Sequence, residues 1–234
     1  MKKTLENKIL EFNTYLSRIR IELPKEYKII NPFNGSNKEK INDITKKFYH
    51  KFYNDNKKRI LILGSSPARR GTAATGIPFE DNEHLYKTTG ISIDDFYINK
   101  SSSNFLYEVI DKYGGSDRFY SIFYMNFICP LGIVRTSDKG NEVNCNYYEN
   151  KELLKALYPF IVESLKKQIE LGIDTSIVYC IGSGENYKFL NDLNNKLHLF
   201  KKIIPLEHPR YIMQYNSNKK EEYIKKYIEL LKEE

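Results

Sequence analysis

Cysteine is scarce in this 234-residue chain, and the three present (Cys129, Cys145, Cys180) lie far apart. No Cys-x-x-Cys pair occurs, which argues against a zinc ribbon or a four-cysteine iron–sulfur cluster. Three scattered thiols fit a reducing compartment better than a disulfide framework. Long apolar runs are missing too: the longest span only a few residues, so no transmembrane helix is expected. Met1–Leu10 (MKKTLENKIL) carries basic residues without an apolar stretch, so no secretory signal peptide is expected and the chain reads as cytoplasmic. Internal repeats, low-complexity tracts and a convincing linker are absent, and residues 1–234 read as one domain.

The residues that are present describe a globular chain, 41% hydrophobic and 29% charged. A chain of this length can bury roughly 70–75% of its unfolded surface, so a real core is available. Thirty-seven basic side chains against 30 acidic ones give a net charge of +7. That excess suits a polyanionic partner, because neutralising phosphates releases counterions, but a Lys- and Asn-rich composition can arise without selection for binding.

Leu5, Ile9, Phe12, Leu16 and Ile19 recur at helical spacing and predict an amphipathic N-terminal helix that Leu23-Pro24 ends. Asn31-Pro32-Phe33-Asn34-Gly35 reads as loop, and a second helix is expected from about Lys40 to Asn54, with Ile41, Ile44 and Phe48 inward. Arg59–Gly64 is a short apolar run ending in glycine, the pattern of a buried central strand. Ile122–Ile128, Ser176–Ile181 and Lys202–Leu206 share it. Helical patterns at about Asn104–Tyr113, Lys151–Leu171 and Glu185–Leu197 lie between them, and Lys219–Glu234 closes the chain with Tyr223, Tyr227, Leu230 and Leu231 on one side. Alternating strands and helices predict an α/β fold of three layers, α/β/α, around a central, mainly parallel four-stranded sheet.

Ligands of such sheets sit outside the carboxyl ends of the strands. Gly64–Asp81, Cys129–Tyr148 and Glu207–Tyr215 leave those ends as polar loops and are expected to converge. The first loop, GSSPARRGTAATGIPFED, is not a P-loop: Arg69 stands where the second glycine belongs, and the Lys-Ser/Thr pair is absent. A serine nucleophile elbow at Ser66 fits poorly as well. The residue after it, Pro67, has no N–H for an oxyanion, and Ala68 replaces the closing glycine. A third reading uses all three loops: Phe79 after the rigid Pro78 as a stacking face, Asn126 at a strand end as an amide edge reader, and His208 as an imidazole. Together these are the parts of a pocket for an extruded nucleobase.

At these residues the chain resembles the single-strand-selective monofunctional uracil-DNA glycosylase family of the uracil-DNA glycosylase superfamily, most closely its second, bacterial branch. The resemblance spans nearly the whole chain, and its most specific parts are GTAATGIPFED, FYMNFICPLG, PFIVESLKKQIELG and PLEHPRYIMQY, in that order. It implies a uracil-DNA glycosylase-like fold, DNA as partner, no metal or organic cofactor, no membrane and a monomeric chain. Phe79 matches the family's base-stacking aromatic, Asn126 the reader of the uracil edge, and His208 the histidine that stabilises the departing base anion. Arg210 and Tyr211 match the segment that enters the duplex. Arg69 and Arg70 are extra basic residues, read as phosphate contacts. His50, His84 and His198 read as surface or packing residues.

One departure falls on the chemistry. The family's first motif carries an Asn that positions the attacking water; here Ser66 stands there, and Ser65, Ser66 and Ala68 reshape the pocket wall. A serine hydroxyl is far too weak a base to deprotonate water unaided. Glu80 and Asp81, next to Phe79, are the nearby carboxylates that could substitute, or they cap the segment that follows. The leading expectation is therefore monofunctional hydrolysis of the N-glycosidic bond of uracil, or a related deaminated base, in DNA, with Ser66 and His208 at the reacting centre. Two alternatives remain open: a damaged-DNA-binding protein with weak or no activity, and a glycosylase of altered preference, for hypoxanthine or xanthine.

Overall fold

The structure is a computed structural model, and it describes residues 3–93 and 101–231. Four parallel strands form the central sheet: β2 (Ile60–Gly64), β3 (Phe123–Phe127), β6 (Asp174–Ile181) and β7 (Ile203–Leu206), in the order β3-β2-β6-β7. These are the four apolar runs of the sequence, and their pairing follows from their composition. Leu61, Ile62 and Leu63 are all buried, so β2 can only be an interior strand covered on both faces. Its register sets Leu63 beside Asn126 on one side and Cys180 on the other. The carboxyl ends of β2 and β3 thus lie level, with those of β6 and β7 beside them, Ile181 pairing with Leu206.

Helices cover the sheet and complete three α/β/α layers. They are α1 (Leu5–Ser17), α2 (Lys38–Tyr53), α3 (Thr72–Thr75), α4 (Asn82–Thr89), α5 (Ser101–Tyr113), α6 (Ser116–Ile122), α7 (Lys151–Glu170), α8 (Glu185–Leu197), α9 (Pro209–Tyr215) and α10 (Lys220–Leu230). Leu5, Ile9, Phe12 and Leu16 of α1 and Ile41, Ile44 and Phe48 of α2 are all buried, as their spacing predicts. Side chains fix the helix starts: Thr4 accepts from the Asn7 N–H (3.3 Å), and Asn150 from the Leu153 N–H (2.8 Å). The last helix was expected to reach Glu234; α10 is assigned to Leu230, and residues 232–234 lie outside the described residues.

A second, antiparallel sheet was not anticipated. It joins β1 (Tyr27–Ile30), β4 (Gly132–Thr136) and β5 (Glu142–Asn144) in the order β1-β4-β5. Cys129–Tyr148 is therefore not a simple loop but a hairpin pinned to the N-terminal segment. At the opposite, amino-terminal end of β2 sits a fully buried Arg59. Its Nε donates to the Tyr120 carbonyl (2.7 Å) and its Nη2 meets the Asp55 carboxylate (2.8 Å), so the charge is paired rather than stranded.

Candidate active site

The first loop keeps to the sheet for one residue past β2. Ile128 N–H donates to the Gly64 carbonyl and Cys129 N–H to the Ser65 carbonyl, both at 2.9 Å. Ser65 is buried, and its hydroxyl donates to Asn146 Oδ1 (3.1 Å). Ser66 is half-buried, and its hydroxyl reaches the Cys145 carbonyl only at 3.5 Å. Ala68 is exposed, and its carbonyl accepts from Gly71 N–H (3.1 Å) and Ala73 N–H (3.2 Å), which turns the chain into α3. Gly76 ends that turn at φ +74°, where a side chain would strike Ile41 at 2.6 Å.

Phe79 follows in the left-handed region, φ +59°, a conformation that few residues other than glycine adopt. Thr72 holds it there by accepting its N–H (3.1 Å). The half-buried ring lies 5.2 Å from that of Phe127 at 31°, and a methyl in place of the Gly64 hydrogen would come within 2.8 Å of it. Glycine at position 64 is what lets the Phe79 ring lie directly over the end of β2.

Asn126 is buried at the end of β3. Its Nδ2 donates to the Tyr124 hydroxyl (2.8 Å) and its Oδ1 accepts the Phe127 N–H (2.8 Å), so the amide is held at both ends with one donor and one acceptor position still open. It borders a cavity of about 20 Å³, shared with Pro67, Thr72, Gly76, Pro78, Phe127 and Asn13 among others. That space suits a single water. Neither Phe79 nor His208 lines it. The sequence placed Phe79, Asn126 and His208 around one base-sized cavity; the geometry sets the Phe79 ring against that of Phe127 and ties the Asn126 amide to the Phe127 backbone, with His208 arriving from β7, two strands from β2.

His208 lies in a segment expected to be loop, Glu207–Tyr215. Pro209–Tyr215 is instead the helix α9, with proline at its first position and His208 as its N-cap. The His208 Nδ1 accepts the Arg210 N–H at 3.1 Å. A ring nitrogen that accepts a hydrogen bond carries no proton, so the proton of the neutral imidazole sits on Nε2. Burial, reinforced by the Arg210 charge, lowers the pKa to about 4, so the ring is neutral at physiological pH. The result is an uncharged N–H donor of fixed tautomer at the carboxyl end of the sheet.

Glu80 and Asp81 do not stand in for a water-holding residue at Ser66. The Glu80 carboxyl is 2% exposed and turned into the core, where it accepts from the Tyr107 hydroxyl (2.5 Å) and the Asp81 N–H (3.1 Å). Burial raises its pKa to about 8. Asp81 is fully buried: it caps α4 through the Glu83 and His84 N–H groups, bonds to His84 Nδ1 (2.8 Å) and accepts from Ser103. Despite its burial these donors hold its pKa down to about 2. His84, read as a packing residue, completes the group by stacking on Tyr107 at 3.9 Å. The whole cluster anchors the chain immediately behind Phe79.

Among the basic residues, Arg69 is half-buried and folds back, donating to the Glu142 carbonyl (3.1 Å), while its N–H is taken by Asn144 (2.8 Å). One nitrogen of the guanidinium is thus engaged with β5. Arg70 and Arg210 are exposed. So are Tyr211 (50%) and, one turn on, Tyr215 (75%), whose rings lie 5.9 Å apart on the outer face of α9. Tyr215 was not picked out from the sequence, although a Tyr-x-x-x-Tyr pair on a short helix beside His208 was the available signal. Asn146 was missed as well, and no spacing rule links Ser65 to a residue 81 positions away.

Against known proteins, the family profile described as the uracil DNA glycosylase superfamily matches residues 50–232. The crystal structure of wild-type SMUG2 from Pedobacter heparinus is similar at 44% identity with a TM-score of 0.93, over 98% of this chain and 97% of that one. No curated protein sequence matches the chain.

Proposed function

Since this chain belongs to the uracil-DNA glycosylase superfamily, we propose that it is a monofunctional DNA glycosylase that extrudes a uracil from DNA and hydrolyses its N-glycosidic bond. The observation that carries the reading is the locked tautomer of His208, its Nδ1 capping Arg210 and its proton on Nε2. As the C1′–N1 bond stretches, negative charge grows on the departing base and spreads to its carbonyl oxygens. A donor already pointed at that charge stabilises the transition state more than the ground state. A neutral imidazole does so without adding a second proton-transfer event, which suits a leaving group that departs as an anion.

The other roles follow from position. Phe79 supplies a flat face held in place by its own backbone, and Asn126 offers its open donor and acceptor to the edge of a pyrimidine. The attacking water adds at C1′ near Ser66, on the side opposite the leaving base. No lysine is invoked as nucleophile, so an abasic site without a strand nick is the expected product. Because the cavity at Asn126 is only about 20 Å³, the wall formed by Pro67, Thr72 and Pro78 must open for a base to enter. Arg70, Arg210 and Tyr211, all exposed, would meet the DNA backbone and the gap left by the base.

The test is release of uracil from single-stranded and duplex oligonucleotides with one uracil, alongside hypoxanthine- and xanthine-containing ones, read on a gel after alkaline cleavage. Removing one preplaced donor commonly costs on the order of 10²–10³ in rate, and His208→Ala is expected to lose that much. DNA that is bound tightly but left intact by the wild-type chain would overturn the reading in favour of a damage-binding protein.

A further inference from the structure

The reading of Ser66 leaves a gap: its single hydroxyl is held only at 3.5 Å, and the neighbouring carboxylates face inward. Something else must fix the water that attacks C1′. The three residues that follow one another at the end of the small sheet all touch the first motif. Asn144 Oδ1 accepts the Arg69 N–H (2.8 Å), the Cys145 carbonyl faces the Ser66 hydroxyl, and Asn146 Oδ1 accepts the Ser65 hydroxyl (3.1 Å). We propose that the Asn146 carboxamide holds the attacking water, supplying in space the amide that position 66 lacks in sequence. This rests on the glycosylase reading above and concerns the same site.

Asn146 has the properties such a group needs. It is exposed, yet its backbone neighbours are not: Cys145 and Tyr147 are buried, and the Tyr147 hydroxyl is anchored on Asn186 (2.7 Å). The residue is therefore open to solvent on a fixed stretch of backbone, with Oδ1 turned to the buried Ser65 hydroxyl. The buried Ser65 hydroxyl, by donating to Oδ1, sets the amide's orientation. A carbonyl oxygen accepts two hydrogen bonds, so Oδ1 keeps one position for water, and Nδ2 has no partner among the described residues. In the reaction the water oxygen bonds to C1′ while the C1′–N1 pair leaves with the base. The surplus proton of the bound water passes to solvent, and the uracil anion regains a proton from solvent after release. Asn146 takes no proton at any stage; it orients the nucleophile.

Positioning effects of this kind are worth roughly 10²-fold or more. Asn146→Ala is therefore expected to lower the single-turnover rate at saturating DNA about 10²-fold with little change in DNA affinity. Adding Ser66→Asn in the Asn146→Ala background is expected to restore at least tenfold. A second measurement does not depend on how much variant folds: in water–methanol mixtures a held water keeps methanol from competing, so the ratio of methyl glycoside to free sugar should rise in Asn146→Ala over wild type. A rate within threefold of wild type, a loss that Ser66→Asn does not relieve, or an unchanged product ratio would each overturn the proposal. If the wild-type chain releases no base at all, the glycosylase reading fails instead; if it releases uracil in a His208-dependent way and Asn146→Ala is normal, only the role of Asn146 falls.

Discussion

Replacing Glu80 with Gln should change the pH dependence of folding in a way that can be worked out in advance. In the folded chain burial raises the Glu80 pKa to about 8 from an ordinary 4.5. Between those values the folded protein holds a proton that the unfolded chain has released. Stability contributed by this group is thus complete below pH 4.5 and is lost as pH rises through 8. His208 acts in the opposite sense. Its folded pKa is about 4 against an ordinary 6.5, so its contribution grows as pH rises from 4 to 6.5 and is constant above. The clean window for Glu80 is therefore pH 6.5 to 8. At about 1.4 kcal/mol per pH unit at full difference, the wild-type chain should lose at most about 2 kcal/mol across it from this group. Glutamine keeps the shape, can still accept the Asp81 N–H, and never ionises. Urea unfolding at half-unit steps should show a falling stability for wild type and a flat profile for Glu80→Gln, the variant being the more stable at pH 8. Equal slopes in the two proteins would refute the claim that a buried, proton-bearing carboxyl stands behind Phe79.

Two further perturbations test the frame of the site. Gly64→Ala places a methyl 2.8 Å from both Phe79 and Phe127, so the stacking ring must move; the expected outcome is a loss of about 1–3 kcal/mol from overpacking together with a drop in uracil release of tenfold or more, measured by urea unfolding and gel assay. Arg59→Ala removes the partner of Asp55 and strands the buried Tyr120 carbonyl; it should cost about 3 kcal/mol while leaving the single-turnover rate near wild type, since Arg59 lies at the other end of β2.

The sheet was legible because strands buried on both faces write themselves as solid apolar runs, and Arg59–Gly64 and Ile122–Ile128 agree with β2 and β3 to within a residue. The small sheet was not, because its strands are short and carry no alternation: Glu142–Asn144 has three residues, and Tyr27–Ile30 follows a proline turn. Helix α9 was hidden by the proline that in fact starts it. At the site, Phe79, Asn126 and His208 could be named because loops after parallel strands share one rim. The commitments of Arg69, Glu80 and Asp81 could not, since each depends on a partner brought near only by folding: Glu142, Tyr107 and Ser103. Asn146 belongs with them. Its contact with Ser65 exists because the hairpin it follows is stitched to the chain's N-terminal segment, and no local pattern announces that.

The cap that His208 places on α9 ties two events that are usually separate. The tautomer persists only while the helix's first turn is wound, since the Arg210 N–H that occupies Nδ1 belongs to that turn. The same turn presents Tyr211 to solvent. Whatever bends or frays it on contact with a strand is therefore felt at the imidazole as a free choice of which nitrogen bears the hydrogen. On the glycosylase reading proposed above, strand contact and bond rupture would share one latch: only a well-seated strand would keep the ring in the form that can receive a departing anion.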